Sequence, residues 1–555
     1  MYKPAPPRPK KTNISRSRNG CKSCRNRKTK CDEKKPAYGT CVRLGKSCEY
    51  VQLTLKYRHV TVQHPKIQSP CAARPQSVYE RTAIQSGGSV PRGDIIRSLK
   101  TAERDIFYYT YWEDRCLPAL NPIFHHVTAS LTADNPILND AILALSSCHI
   151  SRLHYERRTS STGPMGPLSP SLAHQIRSHL YYSSAIRRLA SMKPSDYHHH
   201  STVVLIVLVL FAHLESAMGN FQGFYCHVQG MMDLLESHEA PNSMAFSSLL
   251  TSWMQIRYVV WWARAYFSSL DIHRQLPCIP LPVSINHLHH TPHWRRVKVL
   301  SIMCESHRLN YKAVLQRFKS WRSRRESRRE TDGDYADCTA LLRQEAVKLD
   351  EWLWHLPPSE HPIYELKSTG HTTISFHTCS AALNYAYYVV ARIMQCTGLL
   401  QLLCNPSATR NGWELCEEEA WVRMLVQIAQ GADMQASMTN NSYTIGFSGL
   451  LLAGILRCQT LSVGLAIQDW LQELMNLQPT EEGAFPVYQT LSTVKAINRQ
   501  RMVDQDVFAA TQPVDDGGGT PKITAYNSQS ISCLLLHGRS RKTGDLFEEC
   551  ITLSD

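Results

Sequence analysis

Behind residue 98, apolar residues recur every three or four positions. Ile137, Ala141, Ile142 and Leu145 share one helical face, as do Leu383, Tyr387, Val390 and Met394, and likewise Trp421, Leu425 and Ile428. Asn135 followed by Pro136 supplies a cap and a first helical residue for the first of these segments. The unbroken apolar run Val203 to Ala212 falls short of the roughly 20 residues of a membrane-spanning helix and predicts a buried core helix. No comparable run alternates with the period of two that marks strands. Loops are predicted at Ser160 to Pro170, Pro357 to Pro362 and Asp515 to Pro521. The fold class read from this pattern is mostly α, with a large all-α body.

The front of the chain is patterned differently. Residues 51 to 62 alternate through Val51, Leu53, Leu55 and Tyr57, which predicts a short extended arm. From there to residue 98, Pro65, Pro70, Pro75, Gly87, Gly88 and Pro91 break every helical pattern and mark a linker. The linker holds too few spaced apolar residues for a heptad coiled coil, so a homodimer would have to form through the body. The opening residues contain no apolar stretch, so no secretory signal is expected.

Charge placement sharpens this division. The 555 residues carry a net +15, of which residues 1–60 hold +14 and the remaining 495 only +1. A basic head on a neutral body is the electrostatic footprint of a polyanion-binding protein, because neutralised phosphates release counterions and drive affinity. With 43% hydrophobic and 19% charged residues, the chain as a whole has globular composition.

Nineteen cysteines are present, and only five cluster: Cys21, Cys24, Cys31, Cys41 and Cys48. A pair with two residues between them, joined by thiolates from further along, is the arrangement tetrahedral zinc binding wants. The segment is too polar to be core, which disfavours a packing role for these thiols.

Residues 16–50 thereby resemble the fungal binuclear zinc cluster, in which six cysteines follow C-x2-C-x6-C, a short loop, then C-x2-C-x6-C. Pro36 in the loop and the stretch Gly45 to Tyr50 suit that pattern. The resemblance implies two zinc ions, with Cys21 as one bridging ligand. At the other bridging position, three residues before Cys41, this chain has Tyr38. A phenol with a pKa near 10 is a poor zinc ligand beside a thiolate, so the stoichiometry of two is open. A single zinc on Cys21, Cys24, Cys31 and either Cys41 or Cys48 is the reduced alternative.

Between Cys24 and Cys31 lie Arg25, Arg27, Lys28 and Lys30. By resemblance, a short helix here enters the major groove of double-stranded DNA and reads a CGG-like triplet, with Lys28 and Arg27 donating to guanine O6 and N7. Arg16, Arg18, Lys22, Arg25, Lys30 and Arg43 then mostly hold phosphates, which fixes register without reading sequence. Such regulators work in the nucleus, and Arg8, Lys10 and Lys11 add to a basic import-like signal.

The body resembles the helical regulatory domain that commonly follows such clusters, through the aromatic segment Phe107 to Leu120 and the closing Leu534 to Phe547. That resemblance implies control through effectors, co-regulators or the transcription machinery. The histidines at 198–200 and at 287, 289, 290 and 293 are expected in solvated loops, and the basic run Arg322 to Arg329 in an exposed loop. No phosphate-binding glycine loop, Gly-x-Ser-x-Gly or His-Glu-x-x-His sequence occurs, so no enzyme is expected. The reading is a basic N-terminus at 1–15, a zinc-cluster DNA-binding domain at 16–50, a linker at 51–98 and a helical regulatory domain at 99–550.

Overall fold

The computed structural model describes residues from 101 to 552, apart from internal segments of which the longest are 126–134, 158–167, 267–278, 280–291, 326–332, 405–411 and 512–532. All described residues fall within the compact unit Gly88–Asp555.

The body is mostly α, as its periodicity predicts. It opens with α1 (Thr101–Tyr111), which passes into a π-turn at Trp112–Cys116 and a 3-10 turn at Leu117–Ala119. Pro118 sits in that last turn and cannot donate a helical N–H. Trp112 and Cys116 are buried, which anchors the aromatic segment to the core.

Next come α2 (Pro136–Leu153), α3 (Leu172–Ala190), α4 (Ser201–Met218), α5 (Phe221–Ser237) and α6 (Met244–Tyr266). The predicted start of α2 is found: the Asn135 side chain accepts from the backbone N–H of Ile137 and Leu138 at 3.1 and 3.2 Å. The helix buries more than the predicted face, however, since Leu138 and every residue from Ala141 to Cys148 are buried. It is clamped by α1, α3 and α4 on different sides. Serines survive there by donating to backbone carbonyls of the helix, from within it and from α3. Ser146 donates to the Ile142 carbonyl (2.9 Å), Ser147 to Leu143 (2.6 Å) and Ser178 of α3 to Ala144 (2.9 Å).

Helix α4 contains the long apolar run. By length and composition it could cross a membrane, yet 83% of it is buried within the body, and α2, α5 and α6 pack around it. An apolar helix surrounded in this way is a core helix, as expected.

The second half is built on α7 (Pro292–Arg325), 34 residues and about 51 Å long at 1.5 Å per residue. It packs on α6, on α8 (Gly333–Trp354) and on α9 (Cys379–Gln395). In α9, Leu383, Tyr387, Val390 and Met394 are all fully buried, as their spacing predicts. Then follow α10 (Gly398–Cys404), α11 (Gly412–Gly431), α12 (Met434–Asn440), α13 (Phe447–Ile455), α14 (Leu461–Asn476) and α15 (Val487–Met502). In α11, Leu425 and Ile428 are buried and Trp421 packs against the core at its edge.

Strands are few. Three two-stranded antiparallel pairs occur: β1 (Glu156–Arg157) with β2 (Leu168–Ser169), β3 (Ile363–Leu366) with β4 (Thr372–Ser375), and β5 (Glu481–Glu482) with β6 (Phe485–Pro486). A three-stranded antiparallel sheet, β7 (Gln505–Thr511), β8 (Cys533–Ser540) and β9 (Leu546–Thr552), closes the body in the order β7-β8-β9. This sheet was not foreseen. Its first strand is buried on nearly every residue, so no alternation of polar and apolar positions announces it.

The basic run needs correction as well. Residues 322–325 continue α7 rather than forming a loop, and Arg322 reaches Glu548 of β9 at 3.5 Å. His293 likewise lies in the first turn of α7, half-buried, not in a solvated loop. Burial and the neighbouring Arg296 and Arg295 lower its pKa to about 4. Residues 358–360 form a 3-10 turn within the predicted loop at Pro357 to Pro362.

Candidate functional site

The sequence-predicted zinc and DNA residues, Cys21, Cys24, Cys31, Cys41 and Cys48 with Arg16, Arg18, Lys22, Arg25, Arg27, Lys28, Lys30 and Arg43, lie outside the described residues. So do Tyr38, the linker, and the histidines at 198, 199, 287, 289 and 290. What can be built from atoms is the chemistry of the body.

One polar interior centre joins the end of α1 and the turn after it, the last turns of α2, the second half of α4 and the segment before α13. Tyr111 and His149 approach through hydroxyl and Nδ1 at 3.4 Å, and the Cys116 thiol lies 3.6 Å from the same nitrogen. The Tyr443 ring bridges His149 and His213, with centroids 5.6 and 5.1 Å away. His213 Nδ1 finds no hydrogen-bond partner among the described residues. Beside it is a cavity of about 20 Å³, also bordered by Arg152, Ser216 and Ser442. Arg152 is held by a salt bridge to Glu481 of β5.

The histidines, tyrosines and thiol at this centre are pushed towards their neutral forms. Burial lowers both His149 and His213 to about 3, with Arg152 and Arg115 adding repulsion at His149. Burial raises the Cys116 thiol to about 12. Imidazoles of such low pKa bind a proton weakly and a protonated thiol is a poor nucleophile near neutral pH, which suits a structural centre.

A second constellation resembles a hydrolase triad in its residue types. Thr511 Oγ1 lies 3.1 Å from His537 Nε2, and His537 Nδ1 lies 2.9 Å from Glu548. Each comes from a neighbouring strand, β7, β8 and β9. Thr511 and His537 are completely buried, so no solvent-borne substrate reaches them, and Arg322 adds a second partner for Glu548. The arrangement is a polar tie between sheet and α7.

A cleft of about 270 Å³ lies where the start of α2, the end of α3 and the start of α4 meet. Its wall is mainly aliphatic, from Ile137, Leu189, Val203, Val204 and Val207, with Asn135, Asp196 and His200 supplying polar edges. Among the described residues, no group of three or more His, Cys, Asp or Glu side chains is placed to hold a metal ion.

The decisive comparison concerns the head. Residues 19–57 match the fungal Zn(2)-Cys(6) binuclear cluster domain. The chain carries a zinc-cluster domain. A relative found among characterised proteins is the aspercryptin biosynthesis cluster-specific transcription regulator of Emericella nidulans, 26% identical over 241 residues. That alignment spans 42% of this chain and 37% of the relative. No solved structure matches. Both matches point to a regulator of transcription rather than an enzyme, and the matched domain family is one that binds zinc.

The body residues described above were missed in sequence because each cluster assembles from distant positions. Cys116 and His149 meet Tyr443, and Thr511 meets His537 and Glu548 only when the sheet forms. The cysteine cluster was found because its members are local.

Proposed function

We propose that this chain is a nuclear, sequence-specific DNA-binding transcription regulator, whose zinc-cluster head reads CGG-like triplets and whose helical body controls output. The observation that carries this reading is the zinc-cluster match at residues 19–57, which coincides with the cysteine spacing and the concentration of positive charge. Lys28 and Arg27 are assigned to guanine contacts, and Arg16, Arg18, Lys22, Arg25, Lys30 and Arg43 to phosphates. The target set is a metabolic or secondary-metabolite gene group, a reading supported by the relative named for a biosynthesis cluster.

The donor set fits zinc but not the full binuclear pattern. Cys21, Cys24, Cys31, Cys41 and Cys48 supply five thiolates, enough for one complete tetrahedral site, while Tyr38 stands where a sixth thiolate would bridge. That substitution favours a second reading: a co-regulator without autonomous DNA binding. Small zinc modules derive most of their folding free energy from the metal, so an incomplete cluster weakens the whole head.

Two measurements on the full-length chain decide between the readings. Metal analysis is expected to give fewer than two zinc ions per chain, rising to two in Tyr38→Cys. In a gel shift on a CGG-containing duplex, binding by the natural chain that disappears with chelator supports the first reading. Binding by Tyr38→Cys alone establishes the second. For base reading, Lys28→Ala should weaken the CGG duplex by about 1–3 kcal/mol more than a scrambled duplex. Equal losses on both would remove Lys28 from the reading set.

A further inference from the structure

Burial withholds half of the ten described cysteines from reaction. Cys116, Cys148, Cys304, Cys338 and Cys458 are buried. Cys533 and Cys550 differ on two counts: the first is only half-buried and the second is exposed, and they lie on adjoining strands. In the β8–β9 register Cys533 faces Thr552 and Leu535 faces Cys550, so the two cysteines are diagonal neighbours on one face of the sheet. Diagonal neighbours on an antiparallel pair are within side-chain reach, and strand twist brings one of the two diagonals closer. Here the thiols are in hydrogen-bond contact.

We propose that Cys533 and Cys550 form a redox-responsive dithiol, oxidised reversibly by peroxide to an intrachain disulfide. One thiolate attacks the peroxide O–O bond, forming a sulfenic acid and releasing water. The second thiol displaces hydroxide from that sulfur as a second water, forming the S–S bond. Overall, two thiols and one hydrogen peroxide give one disulfide and two waters, and a dithiol reductant reverses the step. Desolvation and the adjacent Cys533 thiol raise the Cys550 pKa, so oxidation quickens as pH rises.

The bond would fasten the open end of the hairpin, opposite its turn at residues 541–545. Among the described residues, strand β9 is an outer strand, paired to β8 alone. It also carries Glu548, the partner of His537 and Arg322. Oxidation therefore pins the strand through which the sheet grips α7.

The test exploits trypsin sites at Lys522, Arg539 and Lys542, which place the two cysteines in separate peptides, 523–539 and 543–555, each with a single cysteine. Full-length protein is treated with hydrogen peroxide, alkylated and digested. The expected product is one cross-linked peptide, 2 Da lighter than the sum of its parts, that disappears on dithiothreitol treatment and in Cys550→Ser. A second arm uses phenylarsine oxide without oxidant, which should protect both cysteines from alkylation and leave Cys533 unprotected in Cys550→Ser. Independent alkylation of both after peroxide, or pairing of Cys533 with another cysteine or another chain, would overturn the proposal.

Discussion

Glu482 shows how a single buried charge can organise several segments. Its carboxylate is fully buried and accepts from the backbone N–H groups of Phe447 (3.0 Å) and Ser448 (2.7 Å), capping α13 from a strand 35 residues away. The Ser437 hydroxyl and the Asn441 amide complete its shell at 2.8 and 3.2 Å. A buried carboxylate is tolerable only with such a shell, and the positive end of a helix adds to it. Glu482→Ala would strand two backbone donors and two side chains, and is expected to cost about 2–4 kcal/mol in urea unfolding. Next to it, Gly483 has φ of +64°, and a Cβ there would lie 2.2 Å from the Gly446 nitrogen, so no other residue fits that turn.

The buried histidines yield a second expectation at this scale. His149 and His213 have folded pKa values near 3 against about 6.5 unfolded, so the unfolded chain binds more protons between those values. Their stabilising contribution is present above about pH 6.5 and is lost as pH falls towards 3, with a slope of about 1.4 kcal/mol per pH unit for each fully expressed site. Denaturant midpoints should therefore drop between pH 7 and 5. His213→Phe should flatten that dependence, and an unchanged slope in the variant would remove His213 from the account.

At the scale of elements, burial on all sides distinguishes α4, α9 and α13 from ordinary amphipathic helices. In α13 every residue from Phe447 to Ile455 is buried. Its carboxyl end receives two buried arginines. Arg457 donates to the Leu456 and Phe508 carbonyls at 2.9 and 2.7 Å, and Arg501 donates to Ile455 and Cys458. Cations at a helix C-terminus complement its partial negative charge and satisfy its orphan carbonyls. Leu383→Ala in the middle of α9 should destabilise the body by about 2–5 kcal/mol, because its densely packed neighbours cannot collapse into the space. The helices themselves were legible in the spacing of apolar residues. Their complete burial was not, because a three-or-four spacing specifies one face and cannot say that neighbours will cover the others.

For the whole molecule, metal dependence should be divided. Small zinc modules draw most of their folding free energy from the metal, whereas among the described residues of the body no group of three metal-ligating side chains is placed to hold an ion. Treatment of full-length protein with a strong chelator should abolish binding to a CGG duplex yet leave most of the helical circular dichroism signal and the main thermal transition in place. Loss of both together would tie the body to the metal.

What the sequence determined by itself was local. The five cysteines, the basic residues among them and the helical periods are patterns within a few dozen residues, and the chemistry of zinc, phosphate and helix geometry acts over that range. Tyr38 is legible for the same reason, since one missing thiolate is visible in a short motif. The tertiary structure alone decided the rest. It set Glu482 on the amino end of α13, turned the expected basic loop at residues 322–325 into the last turn of a 34-residue helix, and joined Thr511, His537 and Glu548 across a sheet whose buried first strand carries no alternating signal. Those outcomes depend on which distant surfaces meet, and meeting is governed by the packing of the whole core rather than by any one stretch of chain.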